Sequence, residues 1–187
     1  LITLPTTLEE SVREYNEEAT SQTGFDNLSR VFLFVCSGNT CRSPLAAAIG
    51  NAEIAARLQL PFVALEQADA RALSAGVSAK VGAPMTAEAQ QALRLLDIPV
   101  PVHSAQNLTA DLANRVERIF CMTQDHRSAV INMVPTVAHK THCLDPLGDV
   151  EDPIGNGMEA YVNCARRIHG LVRFRLDEIG LQAGQRS

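Results

Sequence analysis

Val31-Phe32-Leu33-Phe34-Val35-Cys36-Ser37-Gly38-Asn39-Thr40-Cys41-Arg42-Ser43-Pro44 decides how this chain folds. Its first five residues are apolar, and four of them, Val31, Phe32, Phe34 and Val35, are β-branched or aromatic. A short run of this kind, bounded by turn residues, reads as a strand buried on both faces. From Ser43 the chain becomes alanine-rich, with Pro44 in the first turn, and this predicts a helix running to about Leu58. Between strand and helix lies a tight loop. Its amides can point inward and the helix dipole adds partial positive charge, which makes an anion site. Gly38 and Asn39 are the residues expected to take left-handed backbone there.

The loop also carries chemistry. Cys36 opens it and Arg42 closes it, in the spacing Cys-x5-Arg-Ser. A thiolate at the floor of a ring of amides, with a bidentate guanidinium beside it, suits a tetrahedral dianion, and phosphate fits best. Ser37, Gly38, Asn39, Thr40, Cys41, Arg42 and Ser43 would line the ring. No Gly-Lys-Ser/Thr follows, so this is not the nucleotide type of phosphate loop.

Cys36-Ser37-Gly38-Asn39-Thr40-Cys41-Arg42-Ser43 resembles the active-site loop of the low-molecular-weight protein-tyrosine-phosphatase family, which fixes Cys-x-Gly-Asn-x-Cys-Arg-Ser. Asp152-Pro153 resembles the family's second signature, near the start of the last helix. The resemblance extends from about Arg30 to about Gly180. It implies Cys36 as nucleophile, passing through a phosphocysteine, with Arg42 gripping equatorial oxygens and Asp152 as general acid and then base. Asp149 and Glu151 are the neighbouring carboxylate alternatives. Ser43 would donate to the thiolate. Asn39, Ser74 and His103 would form the supporting network, with Ser74 and His103 linking Asn39 and Ser43. Cys41 would close a protective disulfide with Cys36 under oxidation. Cys121, Cys143 and Cys164 read as buried apolar residues. His139, His142 and Cys143 sit together without a second ligand pair at zinc spacing, so neither metal nor cofactor is expected.

The rim departs from the tyrosine-phosphatase pattern. Ile154 follows Asp152-Pro153 where the family usually has an aromatic residue, Lys80 stands on the opposite wall, and Thr40 replaces a bulky aliphatic. With aromatics at 4% of the chain, walls for a phenyl ring are scarce. Thr40 resembles the protein-arginine-phosphatase branch, which inclines the expected substrate toward phosphoarginine over phosphotyrosine in proteins. An arsenate reductase of the same fold and a non-catalytic phosphoanion-binding module are the alternatives. The first would need a mid-chain cysteine pair, and the second would be expected to lose Cys36 or Asp152.

Around this centre the chain alternates strands and helices. Strands are expected at 30–36, 71–77, 116–122 and 140–144. Helices are expected at 43–58, 86–97, 109–114, 124–133 and 158–179, with a loop at 148–157. That alternation predicts a three-layer α/β/α fold, with a doubly wound, four-stranded parallel sheet and the phosphate loop after the first strand. Residues 1–29 read as an extension, with a capping box at Thr7-Leu8-Glu9-Glu10, a short acidic helix and a polar linker, ahead of a domain at 30–187. Leu1 in place of methionine fits a segment with an upstream fused domain. A net charge of −5 argues against nucleic acid or an anionic membrane as partner. No apolar run is long enough to span a bilayer. An odd count of five cysteines fits a reducing cytoplasm. A phosphorylated protein as substrate, and phosphate or sulfate in the loop, are the expected ligands.

Overall fold

The structure is a computed structural model and describes residues 30–68 and 70–181. The acidic helix expected before Arg30 lies outside the described residues. Four strands form one parallel sheet in the order β2-β1-β3-β4: β1 (Arg30–Cys36), β2 (Ala70–Gly76), β3 (Arg118–Cys121) and β4 (Thr141–Cys143). The helices are α1 (Arg42–Leu58), α2 (Ala87–Leu95), α3 (Ala110–Arg115), α4 (Gln124–Met133) and α5 (Gly157–Glu178).

Alternation along β1 builds both cores. Phe32, Phe34 and Cys36 face one cluster, packed with Leu45 and Ile49 of α1, Leu93 of α2 and Ile168 of α5. Val31, Leu33 and Val35 face the other, with Leu112 of α3 and Val130 of α4. Each of these large side chains contributes about 1.5–3 kcal/mol on burial. β1 is therefore the strand the sequence requires, apolar on both faces because helices cover both. β1 lies between β2 and β3, so the winding reverses at its carboxyl end, and the crevice there receives the loop that follows β1.

The expected elements differ from the observed ones mainly at their edges. β3 and β4 are shorter than the apolar runs predicted. Two 3-10 segments, Phe62–Gln67 and Pro135–Lys140, were not expected. Pro61 and Pro135 set a helical φ at the start of each, but neither segment carries an apolar stripe long enough to read as a helix.

Candidate active site

The loop after β1 curls over the carboxyl ends of β1 and β2. Asn39 is its left-handed residue, at φ 54°; Gly38, expected to share that role, does not take a positive φ. An Asn in this conformation costs energy, and here its whole amide is engaged. Asn39 Nδ2 donates to Ser43 Oγ at 2.9 Å, and Asn39 Oδ1 accepts from the Gln106 backbone N–H at 2.9 Å. His103 Nε2 donates to the Asn39 carbonyl at 2.7 Å. Asn39 is fully buried, and these bonds replace the water it has lost.

Gly76 ends β2 directly beneath the loop. A Cβ there would lie 2.4 Å from the Ser37 carbonyl oxygen and 3.1 Å from the Asn39 nitrogen. Only glycine lets the two backbones approach so closely. The next residues clamp the loop: Val77 N–H donates to the Cys36 carbonyl at 2.9 Å and Ser78 N–H to the Ser37 carbonyl at 3.0 Å.

Cys36 Sγ sits at the floor, buried, 3.0 Å from Ser43 Oγ and 3.3 Å from the Asn39 N–H that donates to it. Ser43 Oγ is also 3.3 Å from the Ala75 carbonyl. Its single proton serves one acceptor at a time, and a thiolate is the stronger. Ser74 reaches the network only through its carbonyl, which accepts from Gln106 Nε2 at 3.0 Å. The link from the Ser74 hydroxyl that the resemblance implies is not made among the described residues; Ala75, one residue on, meets Ser43 instead.

Arg42 is buried at the first position of α1. Its guanidinium donates to the Val150 carbonyl at 3.0 Å and to Asp152 Oδ2 at 2.5 Å. Asp152 Oδ1 accepts from the Ile154 N–H at 3.2 Å, which turns the chain and points the second oxygen inward. Asp152 is thus the carboxylate that meets the loop. Asp149 instead accepts from the Gln124 N–H at 2.8 Å, capping α4, and Glu151 is exposed. At the mouth, Thr40 is half-buried, with its carbonyl accepting from the Thr86 N–H at 2.9 Å. Lys80 and Ile154 are exposed.

Burial pushes the Cys41 thiol well up and Cys164 up to about 11. Both are neutral thiols at physiological pH, and each counts the other, or Asp152, among its electrostatic neighbours. Cys121 is buried as expected. Cys143 is not: it is half-exposed beside a groove and donates to Gln124 Oε1 at 3.2 Å, because β4 lies at the sheet edge. Sequence reasoning missed His126, whose ring lies against Ser37, and Thr123, Gln106 and Gly76. The signal for His126 was present: Thr123 caps a helix that starts just beyond a strand's carboxyl end, where ligand-facing groups collect.

A thiol at the floor of an amide ring, an arginine at its rim and a carboxylate from a second loop, on a doubly wound parallel sheet, define a cysteine-dependent phosphatase. Residues 31–182 match the family model for low molecular weight phosphotyrosine protein phosphatase, and the chain belongs to that family. A protein-arginine-phosphatase of Geobacillus stearothermophilus is 32% identical over 134 residues, covering 69% of this chain and 82% of the relative. The low molecular weight protein-tyrosine-phosphatase PtpB of Staphylococcus epidermidis is 29% identical, covering 75% of this chain and 92% of the relative. Among solved structures, a low molecular weight protein tyrosine phosphatase from T. tengcongensis superposes with a TM-score of 0.70 at 33% identity, over 80% of this chain and 99% of that one. The chain is a phosphoprotein phosphatase of this type. Among the described residues, no helix is long and apolar enough to cross a membrane.

Proposed function

We propose that the chain hydrolyses phosphoarginine in proteins, with Cys36 as nucleophile, Arg42 as phosphoryl clamp and Asp152 as acid and base. In the first step Cys36 Sγ attacks phosphorus. The S–P bond forms, the P–N bond breaks, and the departing guanidine nitrogen takes the proton of the Asp152 carboxyl. In the second step the Asp152 carboxylate takes a proton from water, whose oxygen attacks phosphorus. The P–S bond breaks and the sulfur leaves as thiolate, with the Ser43 hydroxyl beside it as donor. The loop amides and Arg42 face the equatorial oxygens throughout, fixed before charge develops. Support for the covalent step comes from a relative: a cysteine-to-serine mutant of YwlE arginine phosphatase, 28% identical to this chain, carries a phosphorylated active-site serine.

The observation that carries the substrate is the mouth of the ring. Thr40 is small and branched, Lys80 and Ile154, which the family resemblance assigns to the rim, are exposed, and none of the three is aromatic. A phenyl ring finds no flat wall among them. A planar guanidinium needs less width than a phenyl ring. The test is kcat/KM on matched phosphoarginine and phosphotyrosine peptides. The expected result favours phosphoarginine by tenfold or more, and a preference for phosphotyrosine overturns the assignment.

A further inference from the structure

His126 plays no part in the chemistry above, yet it is buried in the first turn of α4 with both ring nitrogens engaged. Nδ1 lies 2.8 Å from Thr123 Oγ1 and Nε2 lies 2.8 Å from Ser37 Oγ. Ser37 immediately follows the nucleophile and is exposed at the mouth of the ring. We propose that His126 is a positioning residue of the phosphate loop, which holds the Ser37 hydroxyl as a donor for the bound anion and takes up a proton when a dianion enters. The inference rests on the phosphate-loop reading proposed above.

The hydrogen count leads there. Thr123 Oγ1 already accepts from the His126 backbone N–H at 3.2 Å, as the cap of α4. Its own proton is free to go to His126 Nδ1. The ring proton then sits on Nε2 and is donated to Ser37 Oγ, so the Ser37 proton turns away from the ring. The opposite tautomer uses up the Ser37 proton and leaves lone pairs facing the anion. A dianion therefore selects the arrangement with Nε2–H, or the imidazolium, in which both ring nitrogens donate.

Charges around the ring set the direction of the coupling. Arg42 faces it from α1, Asp125 from its own helix, and Asp149 and Asp152 from the loop before α5. Burial and then Arg42 hold the imidazole below its ordinary value of 6.5. A dianion against Arg42 offsets that positive charge and adds negative charge nearby, so it favours the imidazolium. By reciprocity, the imidazolium favours the dianion.

Sulfate is the probe, because it stays a dianion across the range in which histidine titrates. The ring nitrogens of His126 are followed by nuclear magnetic resonance in the wild-type protein against pH, with and without saturating sulfate. The expected result is an upward move of the His126 midpoint by about one unit, equivalent to about tenfold tighter sulfate binding to the protonated form. His126→Gln keeps a donor for Ser37 but cannot titrate, and should lose that gain on acidification. A midpoint that does not move under saturating sulfate overturns this inference alone, and the wild-type titration decides the matter even if the variant misfolds. Failure of the wild-type protein to bind sulfate overturns both this inference and the phosphate-loop reading.

Discussion

In the proposed mechanism Asp152 serves both steps with one side chain. Its Oδ2 meets Arg42 at 2.5 Å and its Oδ1 is held by the Ile154 N–H, so the carboxyl is aimed before substrate arrives. Asp152→Asn should lower kcat strongly for substrates with poor leaving groups and less for p-nitrophenyl phosphate, whose leaving group departs unaided. Equal slowing of both would mean that Asp152 positions its loop and donates no proton. Thr40 tests specificity at the same scale. Thr40→Ile should add apolar contact for a phenyl ring and crowd a phosphoguanidinium. A methylene-scale change in such a pocket is worth about 1–3 kcal/mol, so the kcat/KM ratio should move at least tenfold toward phosphotyrosine. An unchanged ratio would pass the role to Ile154 and Lys80. Cys36 and Arg42 were legible because their residue types and spacing state an anion site directly, whereas Asp152 was reached only through the family resemblance, an Asp-Pro by itself reading as a turn. Ser37 with His126 was not legible: the two are far apart in sequence and joined only by the packing of α4 beside the loop.

At the scale of elements, β1 was legible to the residue because helices cover it on both sides, leaving no ambiguity of face. β3 and β4 were read too long, since apolar side chains continue past the last ladder bond into the core. Met122 is fully buried although β3 has ended at Cys121. The junction of β2 with the phosphate loop was invisible in sequence. Its glycine is required by a neighbouring backbone, not by its own turn. Gly76→Ala would force its Cβ into the Ser37 carbonyl at 2.4 Å. Neither backbone has a flexible end to move, so the loop must shift. The expected cost is about 1–3 kcal/mol of stability, with anion affinity falling alongside it. Thermal melts and sulfate titration check both. A variant with wild-type melting and binding would show that the loop tolerates the shift and that the ring is not rigid.

The whole molecule joins a double core to a site built where its winding reverses, and a buried histidine beside that site contributes to its response to pH. Burial and then Arg42 hold His126 below its ordinary value, whereas the unfolded chain binds its proton near 6.5. The unfolded state therefore holds more protons below that value. His126 contributes its stability in full above about pH 6.5 and loses it as the pH falls toward the depressed folded value. Melting temperature should fall on acidification more steeply for the wild-type protein than for His126→Gln, and parallel curves would contradict this. The central claim is that Cys36 carries the phosphoryl group. Rapid acid-free quenching of a p-nitrophenyl phosphate reaction, with phosphate located by mass spectrometry, tests it most directly. Asp152→Asn is the background of choice, since this leaving group departs without the acid while loss of the base slows the second step. The predicted result is phosphate on Cys36, close to one per chain, and none in Cys36→Ala, which has no nucleophile at that position, under the same pulse. Phosphate on another residue, or turnover persisting in Cys36→Ser above about 1% of wild type, would contradict the account.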